Sequence, residues 1–399
     1  MKIALIASYF PPVVPGGATI SLSALAHGLA EHGNDVHVIC LAHNGPTSDR
    51  LASNVTVHRL AINEWGQSPV IPNRPTLQKV LWQVSSTLSG RSIRAIKRKI
   101  DELSPEIVHT DHIAAFSPHL LSALSRASRP LSHTVRDFYG FCAFSTRHRH
   151  QRQCTTTCIS CWPTASARTT GLRRLNGIVF TSQFMKRFHE DAKLLHANMR
   201  VAVIPNSFDL PRGLFPRSRN AAIASGRLRV GYVGRFDEAK GLRVLLREFG
   251  LINPDTFELI LAGADNGRFE AAITKLRNTH SVTSLGYLPQ AEILSLVDVL
   301  VVPSLWHEPF GRTVIEAYVY GVPVIAARRG ALPELVHDGR TGFLFEPCNH
   351  GELAKAIQRL LDPTARDLLA TNARIEGQKY TTGAMVRRYA DFYDSLRTE

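Results

Sequence analysis

Two carboxylates at a fixed spacing are the side chains of this 399-residue chain best placed for chemistry. Glu308 and Glu316 have seven residues between them and flank the segment 310–313, Phe-Gly-Arg-Thr. The apolar run 299–303 predicts a buried strand, and 313–320 predicts a short helix. Open α/β sheets bind ligands at the carboxyl ends of their strands, and a helix N-terminus favours an anionic group. The spacing therefore predicts an anion-binding site that carries two glutamates.

A second segment places two cations after a strand. Residues 228–235 (LRVGYVGR) predict a strand that ends in a glycine turn at Gly234, and Arg235 and Lys240 follow it. Charge-assisted bonds from arginine and lysine to phosphate are strong. Lys240 precedes Gly241, and no Gly-Lys-Ser/Thr follows, so the segment is not a P-loop. Taken singly, each cation could also be an ordinary exposed side chain.

These segments, in this order, resemble the motifs of glycosyltransferase family 4, whose members are retaining enzymes with the GT-B fold. The matching elements are E-x7-E at 308–316, G-R-x4-K-G at 234–241, a base-contacting turn at 285–287, G-G-x-P-E-x-V near 330–336 and the closing element 339–345. Ala331 replaces the second glycine of the fourth element. The resemblance implies an α/β protein of two doubly wound, Rossmann-like parallel-sheet domains facing across a cleft.

The resemblance also implies roles for single residues. Glu308 would contact the hydroxyls of a donor sugar, Glu316 would contact the nucleotide ribose, and Arg235 and Lys240 would hold the diphosphate. The expected donor-binding residues are Gly16, Gly17, Gly234, Tyr287, Phe310, Gly311, Arg312, Thr313, Val314 and Glu316. Without the resemblance, two solvated glutamates around a helix start would be an ordinary feature.

The first half of the chain departs from the family pattern at two strand ends. Residues 107–112 resemble V-H-x-H-D, but Asp111 stands where the second histidine would be and His112 stands where the acid would be. In the T-x-H-D-like segment 134–137, Arg136 replaces the histidine. The resemblance implies that Asp111 or His112 lies near the reacting sugar. Both alternatives stay open, as does a purely structural role.

Alternating strand and helix patterns predict the domain organisation. We expect an N-terminal acceptor-binding domain at 1–208, a C-terminal donor domain at 209–381, and a final helix at 382–399 that packs back on the first domain. A stretch at 206–226, which bears proline, serine and arginine, predicts the linker.

Four of the six cysteines lie within a polar insertion at 142–161. Cys142, Cys154, Cys158 and Cys161 have the spacing C-x11-C-x3-C-x2-C, which suggests a structural zinc site of four thiolates. Free thiols are the alternative, because the spacing is looser than a pair of CxxC motifs.

Charge is concentrated in the first half of the chain. Residues 1–208 hold 23 Lys and Arg against 11 Asp and Glu, whereas the whole chain has a net charge of +14. A basic segment at 91–99 also carries isoleucines at helical spacing, which favours either peripheral contact with an anionic membrane or a helix packed on the sheet. No apolar run reaches the ~18 residues needed to span a bilayer, so we expect a cytoplasmic protein. If the basic segment contacts a membrane, we expect the protein to associate with the inner face of that membrane.

The leading function is a retaining hexosyl- or glycosyltransferase that moves a sugar from a nucleotide-sugar to an acceptor hydroxyl. We expect a carbohydrate or lipid-linked acceptor in polysaccharide or glycolipid biosynthesis, and no cofactor for the chemistry. One alternative is a GT-B-fold nucleotide-sugar epimerase. Another is a non-enzymatic zinc- or nucleic-acid-binding protein, but the basic residues form no known nucleic-acid motif, so no nucleic acid is expected.

Overall fold

The computed structural model describes residues 1–14, 16–42, 46–51, 54–62, 90–149, 152–210, 226–265 and 267–397. The chain divides into two compact units. The first unit comprises Met1–Arg147, Cys154–Asn206 and Thr382–Glu399, and the second comprises His148–Gln153 and Ser207–Thr381. The domain bounds predicted from the sequence, 1–208, 209–381 and 382–399, remain a prediction.

Strands and helices alternate through the first half of the chain. The elements, in chain order, are β1 (Lys2–Ile6), α1 (Gly17–Glu31), β2 (Asp35–Leu41), β3 (Thr47–Arg50), β4 (Val55–Leu60), α2 (Arg91–Leu103), β5 (Ile107–Thr110), α3 (Leu120–Leu124), β6 (Leu131–Val135), β7 (His148–Arg149), β8 (Arg152–Gln153), α4 (Trp162–Leu172), β9 (Gly177–Phe180), α5 (Gln183–Asp191) and β10 (Arg200–Val203). Of these, the short antiparallel hairpin β7–β8 belongs to the second unit.

The second half repeats the alternation. Its elements are β11 (Leu228–Val233), α6 (Leu242–Phe249), β12 (Phe257–Ala262), α7 (Glu270–Arg277), β13 (Ser281–Ser284), α8 (Gln290–Leu296), β14 (Val299–Val302), α9 (Arg312–Val319), β15 (Val324–Ala327), α10 (Leu332–Leu335), β16 (Gly342–Phe345), α11 (Glu352–Gln358), α12 (Pro363–Gly377) and α13 (Thr382–Arg397). Short 3-10 turns at Arg359–Leu361 and Gln378–Tyr380 follow α11 and α12.

Each unit is built on one twisted sheet. The first has the strand order β10-β9-β6-β5-β1-β2-β4-β3, parallel except for the edge strand β3. The second has the order β13-β12-β11-β14-β15-β16 and is parallel throughout. The chain reverses its direction across the sheet between β1 and β5 in one unit and between β11 and β14 in the other. Ligands of doubly wound sheets bind at such switch points.

The central strands are apolar because both faces of each sheet are covered by helices. Val299–Val302 is buried at every position, and so is Gly177–Phe180. The last helix, α13, packs on the first unit: Val386, Tyr389 and Tyr393 lie in the same core cluster as Ile3 and Leu25. Helix α1 approaches it closely, since a Cβ built on Gly28 would lie 2.4 Å from the Val386 side chain.

A glycine lets the chain that follows β11 lie against the end of β14 at the switch point of the second unit. Gly241 has φ of 75°, and a Cβ there would lie 1.8 Å from the carbonyl oxygen of Pro303. Only glycine tolerates both the left-handed backbone and this approach. The start of α6 therefore lies directly against the end of β14, which places Lys240 near the first glutamate.

The predicted α/β class with two Rossmann-like domains is confirmed. The strand predicted at 299–303 spans Val299–Val302, the helix predicted at 313–320 spans Arg312–Val319, and the final helix spans Thr382–Arg397 within the described residues. Most of the predicted linker, residues 211–225, lies outside the described residues. Within the part of the chain that the structure describes, no helix is long and apolar enough to cross a membrane.

Candidate functional site

A cluster of three donors around one carboxylate oxygen lies at the switch point of the second unit. Lys240 Nζ lies 2.6 Å from Glu308 Oε1. Ser304 Oγ and the indole Nε1 of Trp306 each donate to the same oxygen at 2.8 Å. Lys240 Nζ is also 5.0 Å from the centroid of the Trp306 ring, within the range of a cation–π contact. Glu308 is thus held in one orientation.

The ends of two neighbouring parallel strands position this cluster. Ser304, Trp306 and Glu308 follow β14, whereas Lys240 lies on the turn after β11, just before α6. The backbone N–H of Lys240 donates to Asp237 Oδ1 at 2.7 Å, which fixes the turn. The loop after β14 is closed from the other side, because the carbonyl of Glu308 accepts the N–H of Ala331 at 2.8 Å.

The surroundings keep Glu308 ionised. Burial raises the pKa of the Glu308 carboxyl, but the charge and hydrogen bond of Lys240, with the bonds from Ser304 and Trp306, outweigh burial, so its pKa lies below the ordinary value. Glu308 is therefore a carboxylate at neutral pH.

The second glutamate differs in its surroundings. Glu316 is fully buried on α9, and its Oε1 accepts from Nε of Arg312 one turn earlier. Its other oxygen, Oε2, is buried and finds no hydrogen-bond partner among the described residues. Burial raises the pKa of Glu316, and Arg312 opposes the rise. A buried carboxylate oxygen without a partner is costly unless a ligand supplies a donor.

The start of α9 lies between the two glutamates. Gly311 has φ of 102°, and a Cβ there would lie 2.7 Å from Leu332, so the tight entry into the helix requires glycine. Phe310 and Val314 are buried in an apolar core cluster. Of these two residues, only the backbone is therefore available to a ligand. Thr313 lies in the first turn, next to Arg312.

Two further residues that were predicted to bind the donor substrate are largely exposed. Arg235 has a side chain that is 70% exposed and lies 3.1 Å from Asp237 Oδ2. Tyr287 is 84% exposed, beyond a turn in which the Gly286 carbonyl accepts the N–H of Gly263 at 2.8 Å. Gly234 lies at the end of β11, where its N–H donates to the Ala262 carbonyl at 3.0 Å.

In the first unit, Asp111 is buried in an ion pair. Arg136 donates to both of its oxygens, at 3.0 Å from Nε and at 2.8 Å from Nη2, and also donates to Asn206 Oδ1. Asp111 Oδ1 accepts the backbone N–H of His112 at 2.8 Å. Burial raises the pKa of Asp111, but Arg136 and His112 outweigh burial and hold the pKa well below its ordinary value.

Of His112 and Asp111, only His112 has a partly exposed side chain. Its side chain is 12% exposed, its Nε2 lies 3.4 Å from Thr19 Oγ1, and its ring stacks on Tyr9 with centroids 6.2 Å apart. Thr19 is in the first turn of α1, where the Gly16 carbonyl accepts its N–H at 3.2 Å and Gly17 is the first helical residue. The first unit thus gathers Gly16, Gly17 and His112 at its own switch point.

His109 has a structural environment. It is fully buried, its two ring nitrogens lie 2.7 Å from Ser132 Oγ and 2.8 Å from Thr134 Oγ1, and burial lowers its pKa to about 3. It is therefore neutral at physiological pH and satisfied inside the sheet.

Among the described residues, none of the four clustered cysteines forms a disulfide bond. Cys142 and Cys161 are buried, whereas Cys154 and Cys158 are half-buried. Across the described ranges, no group of three or more His, Cys, Asp or Glu side chains is arranged to hold a metal ion. The sulfurs as placed do not form a metal site, and structural zinc stays a prediction.

Sequence reasoning missed Ser304 and Trp306. Both contact Glu308, yet neither belongs to the residue pairs that carry the resemblance. A serine at the strand end and a tryptophan two residues before Glu308 were the available signals. The Arg136–Asp111 pair was missed as well, because it joins two strand ends that are 25 positions apart.

Comparison with known proteins covers nearly all of the chain. Residues 15–212 match the family model described as Glycosyltransferase Family 4, and residues 217–376 match the model described as Glycosyl transferases group 1. A 42.6 kDa protein of the cps region of Klebsiella pneumoniae is 25% identical over 342 residues, which are 84% of this chain and 87% of that protein.

Solved structures agree on the fold. Sucrose-phosphate synthase from Thermosynechococcus elongatus has a TM-score of 0.80 at 23% identity, covering 100% of this chain and 99% of that one. HepE of Anabaena, in complex with UDP-glucose, has a TM-score of 0.70 at 22% identity, covering 99% and 100%. The chain is a family 4-like glycosyltransferase with the GT-B fold.

Proposed function

We propose that this enzyme transfers a sugar from a nucleotide-sugar to an acceptor hydroxyl with retention of anomeric configuration. The observation that carries the proposal is the buried, ionised Glu308, held by Lys240 beside the start of α9. Such a carboxylate accepts hydrogen bonds from sugar hydroxyls and stabilises positive charge on a sugar ring. The complex of HepE with UDP-glucose adds support for a donor of this class.

The donor would lie along the switch point of the second unit. Its diphosphate would meet the first turn of α9 and the cations Lys240 and Arg235, which offset the charge that grows as the glycosidic bond breaks. Oε2 of Glu316, for which the described part of the chain supplies no partner, suits a ribose hydroxyl, since a hydroxyl can donate one hydrogen bond to it. Exposed Tyr287 offers its ring to the base.

The first unit would supply the acceptor side. His112 is the candidate for contact with the reacting sugar, because Asp111 is fully engaged by Arg136. Asp111 then acts by holding His112 through its backbone N–H. Gly16 and Gly17 allow a substrate to approach the backbone at the start of α1. We infer a carbohydrate or lipid-linked acceptor in polysaccharide or glycolipid biosynthesis.

The test begins with the donor. A thermal-shift screen of UDP-, GDP- and ADP-sugars should show one that raises the melting temperature, since a ligand at ~100 times its dissociation constant stabilises by about 2.7 kcal/mol. That donor, incubated with candidate acceptors, should release its nucleoside diphosphate in step with glycosylated product of unchanged anomeric configuration.

Three outcomes would contradict the proposal. Product of inverted configuration would exclude retention. Rearranged donor or free sugar formed without any acceptor would favour the epimerase alternative. If none of the nucleotide-sugars raises the melting temperature, the proposed donor site is wrong.

A further inference from the structure

Three large apolar side chains are exposed within one short part of the first unit. Phe144 is 55% exposed, Ile159 is 94% exposed and Trp162 is 65% exposed. All three lie in or next to the cysteine-bearing segment 142–161. We name these three side chains the apolar patch. Single exposed apolar residues are ordinary, whereas a group of large ones marks a contact surface.

The patch stands on two adjoining segments. Ile159 is at the corner of a turn in which the Cys158 carbonyl accepts the N–H groups of Cys161 and Trp162, both at 2.9 Å. Trp162 then begins α4. Phe144 follows Ala143, whose N–H lies 3.5 Å from Cys161 Sγ. The three side chains are therefore brought to one region of the first unit.

The base beneath the patch is fixed. Cys142 and Cys161 lie in an apolar core cluster, and Arg168 of α4 is buried. Nη1 of Arg168 donates to the carbonyls of Tyr139 at 3.0 Å and Cys142 at 2.9 Å. The exposed side chains thus project from an anchored frame, so their exposure is a property of the fold.

The chain around the patch carries no acidic residue between Asp137 and Glu190. Within the first unit, residues 138–147 and 154–189 hold six Lys and Arg, of which Arg147 and Arg168 are buried. Arg173, Arg174 and Arg187 of this segment are exposed. Apolar side chains in a cationic setting match an anionic lipid surface, which offers both an apolar interior and negative headgroups.

We propose that the apolar patch inserts into the interface of an anionic membrane. Tryptophan favours the headgroup level of a bilayer, and the neighbouring phenylalanine and isoleucine enter the acyl boundary. The cations draw the protein to the surface, and the patch supplies the second, salt-resistant contact. This docking is independent of the donor chemistry, and it suits an acceptor that carries a lipid.

Helix α2, the basic helix at 91–103, does not supply the apolar contact. Ile96 and Ile100 are buried in the core of the first unit, and its exposed positions are Arg91, Arg94, Lys97 and Arg98, with Asp101 and Glu102 near its C-terminal end. The helix adds attraction to anionic lipids, but it has no apolar face left to insert. The buried isoleucines agree with a helix packed on the first unit, and contact of the helix with a membrane stays a prediction.

A second copy of the chain fits the patch poorly. Docking two acid-free segments against each other would bring like charges together, which opposes association. An anionic bilayer meets the same charges favourably, and the interaction weakens with salt only in its electrostatic part.

The test compares vesicle binding of matched variants. The triple change Phe144→Ser, Ile159→Ser and Trp162→Ser should reduce partitioning onto vesicles containing phosphatidylglycerol by roughly ten-fold, and it should abolish the binding that persists at high salt. The control triple, Leu251→Ser, Leu368→Ser and Ile375→Ser, removes three large side chains that are 48%, 61% and 53% exposed on the second unit, and it should bind like the wild type. Ile159→Ser alone should give an intermediate loss if the full triple is unstable.

Tryptophan fluorescence gives a second readout. Emission assigned to Trp162, by difference from Trp162→Phe, should shift to the blue on anionic vesicles and be quenched by brominated acyl chains. Equal vesicle binding by the two triple variants would overturn the proposal. So would a wild-type dimer in sedimentation velocity that the patch triple dissociates, because that result would assign the patch to a second copy.

Discussion

Lys240 and Glu308 form a close ion pair, with Nζ and Oε1 2.6 Å apart, although 68 positions separate them in the chain. The pair joins the two motifs that were assigned to the diphosphate and to the sugar. The lysine is thus held in place by the carboxylate. A bound diphosphate would meet a cation that is already oriented, which favours electrostatic stabilisation of the leaving group.

Removing either cation should slow transfer. We expect Lys240→Ala and Arg235→Ala each to lower kcat/KM on the order of 10²-fold, because a departing diphosphate loses one charge-assisted contact. Arg243→Ala is the matched control, since Arg243 pairs with Glu238 at 2.6 Å in the same region and has no assigned role. If both variants turn over at a near-normal rate and unfold at the wild-type temperature, this segment does not form the donor site.

Substitutions of the two glutamates should change different steady-state kinetic parameters. Glu308→Gln should mainly lower kcat, because the carboxylate charge matters most when positive charge develops on the sugar. Glu316→Gln should mainly raise KM for the donor, because its Oε2 is assigned to ribose binding. Kinetics with the opposite pattern would mean that the roles are exchanged.

Trp306 should act as a positioning residue for Glu308. Trp306→Phe keeps a ring beside Lys240 but removes the indole donor to Glu308, which is 2.8 Å away. Hydrogen bonds to charged groups contribute about 1.5–3 kcal/mol, so we expect kcat to fall by roughly ten-fold or more with little change in donor KM. Trp162→Phe controls for the loss of an indole elsewhere. A change confined to KM would assign Trp306 to substrate contact instead.

Local sequence patterns predicted most of the fold. Val299–Val302 was recognisable because a parallel strand covered on both faces is continuously apolar. The edge strand β3, Thr47–Arg50, was not predicted, because all four of its residues are exposed and carry no apolar alternation. The hairpin β7–β8 is likewise too short and polar to leave a periodic signal.

The site could be predicted in its residues but not in its contacts. The family spacing identified Glu308 and Glu316. It could not show that three donors favour the ionised form of Glu308, or that one oxygen of Glu316 has no partner among the described residues. Those differences depend on which strand ends become neighbours. The same holds for Arg136, which looked like a departure from a histidine and instead neutralises Asp111.

Structural zinc in the cysteine cluster stays a prediction, and binding would require the four sulfurs to draw together. Elemental analysis of protein expressed with ample zinc should give about one zinc per chain, and Cys154→Ser with Cys158→Ser should remove it. Cys348→Ser, at an exposed cysteine far along the chain, is the control. Less than ~0.2 zinc per chain in the wild type would exclude the site.

The buried pair of Asp111 and Arg136 should make stability depend on pH. Asp111→Asn leaves the Arg136 side chain, which is 5% exposed, without its counter-charge, so we expect a loss of about 3–5 kcal/mol in the free energy of unfolding at pH 7. The folded pKa of Asp111 is depressed below its unfolded value of about 3.9. Its contribution is therefore complete above pH ~4 and is lost as pH falls further towards the folded pKa.

The difference between wild type and Asp111→Asn should accordingly be constant from neutral pH down to about pH 5 and shrink below pH ~4, as measured by urea unfolding at each pH. Asp49→Asn is the control: Asp49 pairs with Arg59 at 2.9 Å, but its side chain is 54% exposed. That variant should lose no more than about 1 kcal/mol, because exposed pairs contribute little. A difference for Asp111→Asn that stays constant into strong acid would show that Arg136 does not hold the carboxylate ionised, and the assignment of Asp111 as the group that fixes His112 would fail with it.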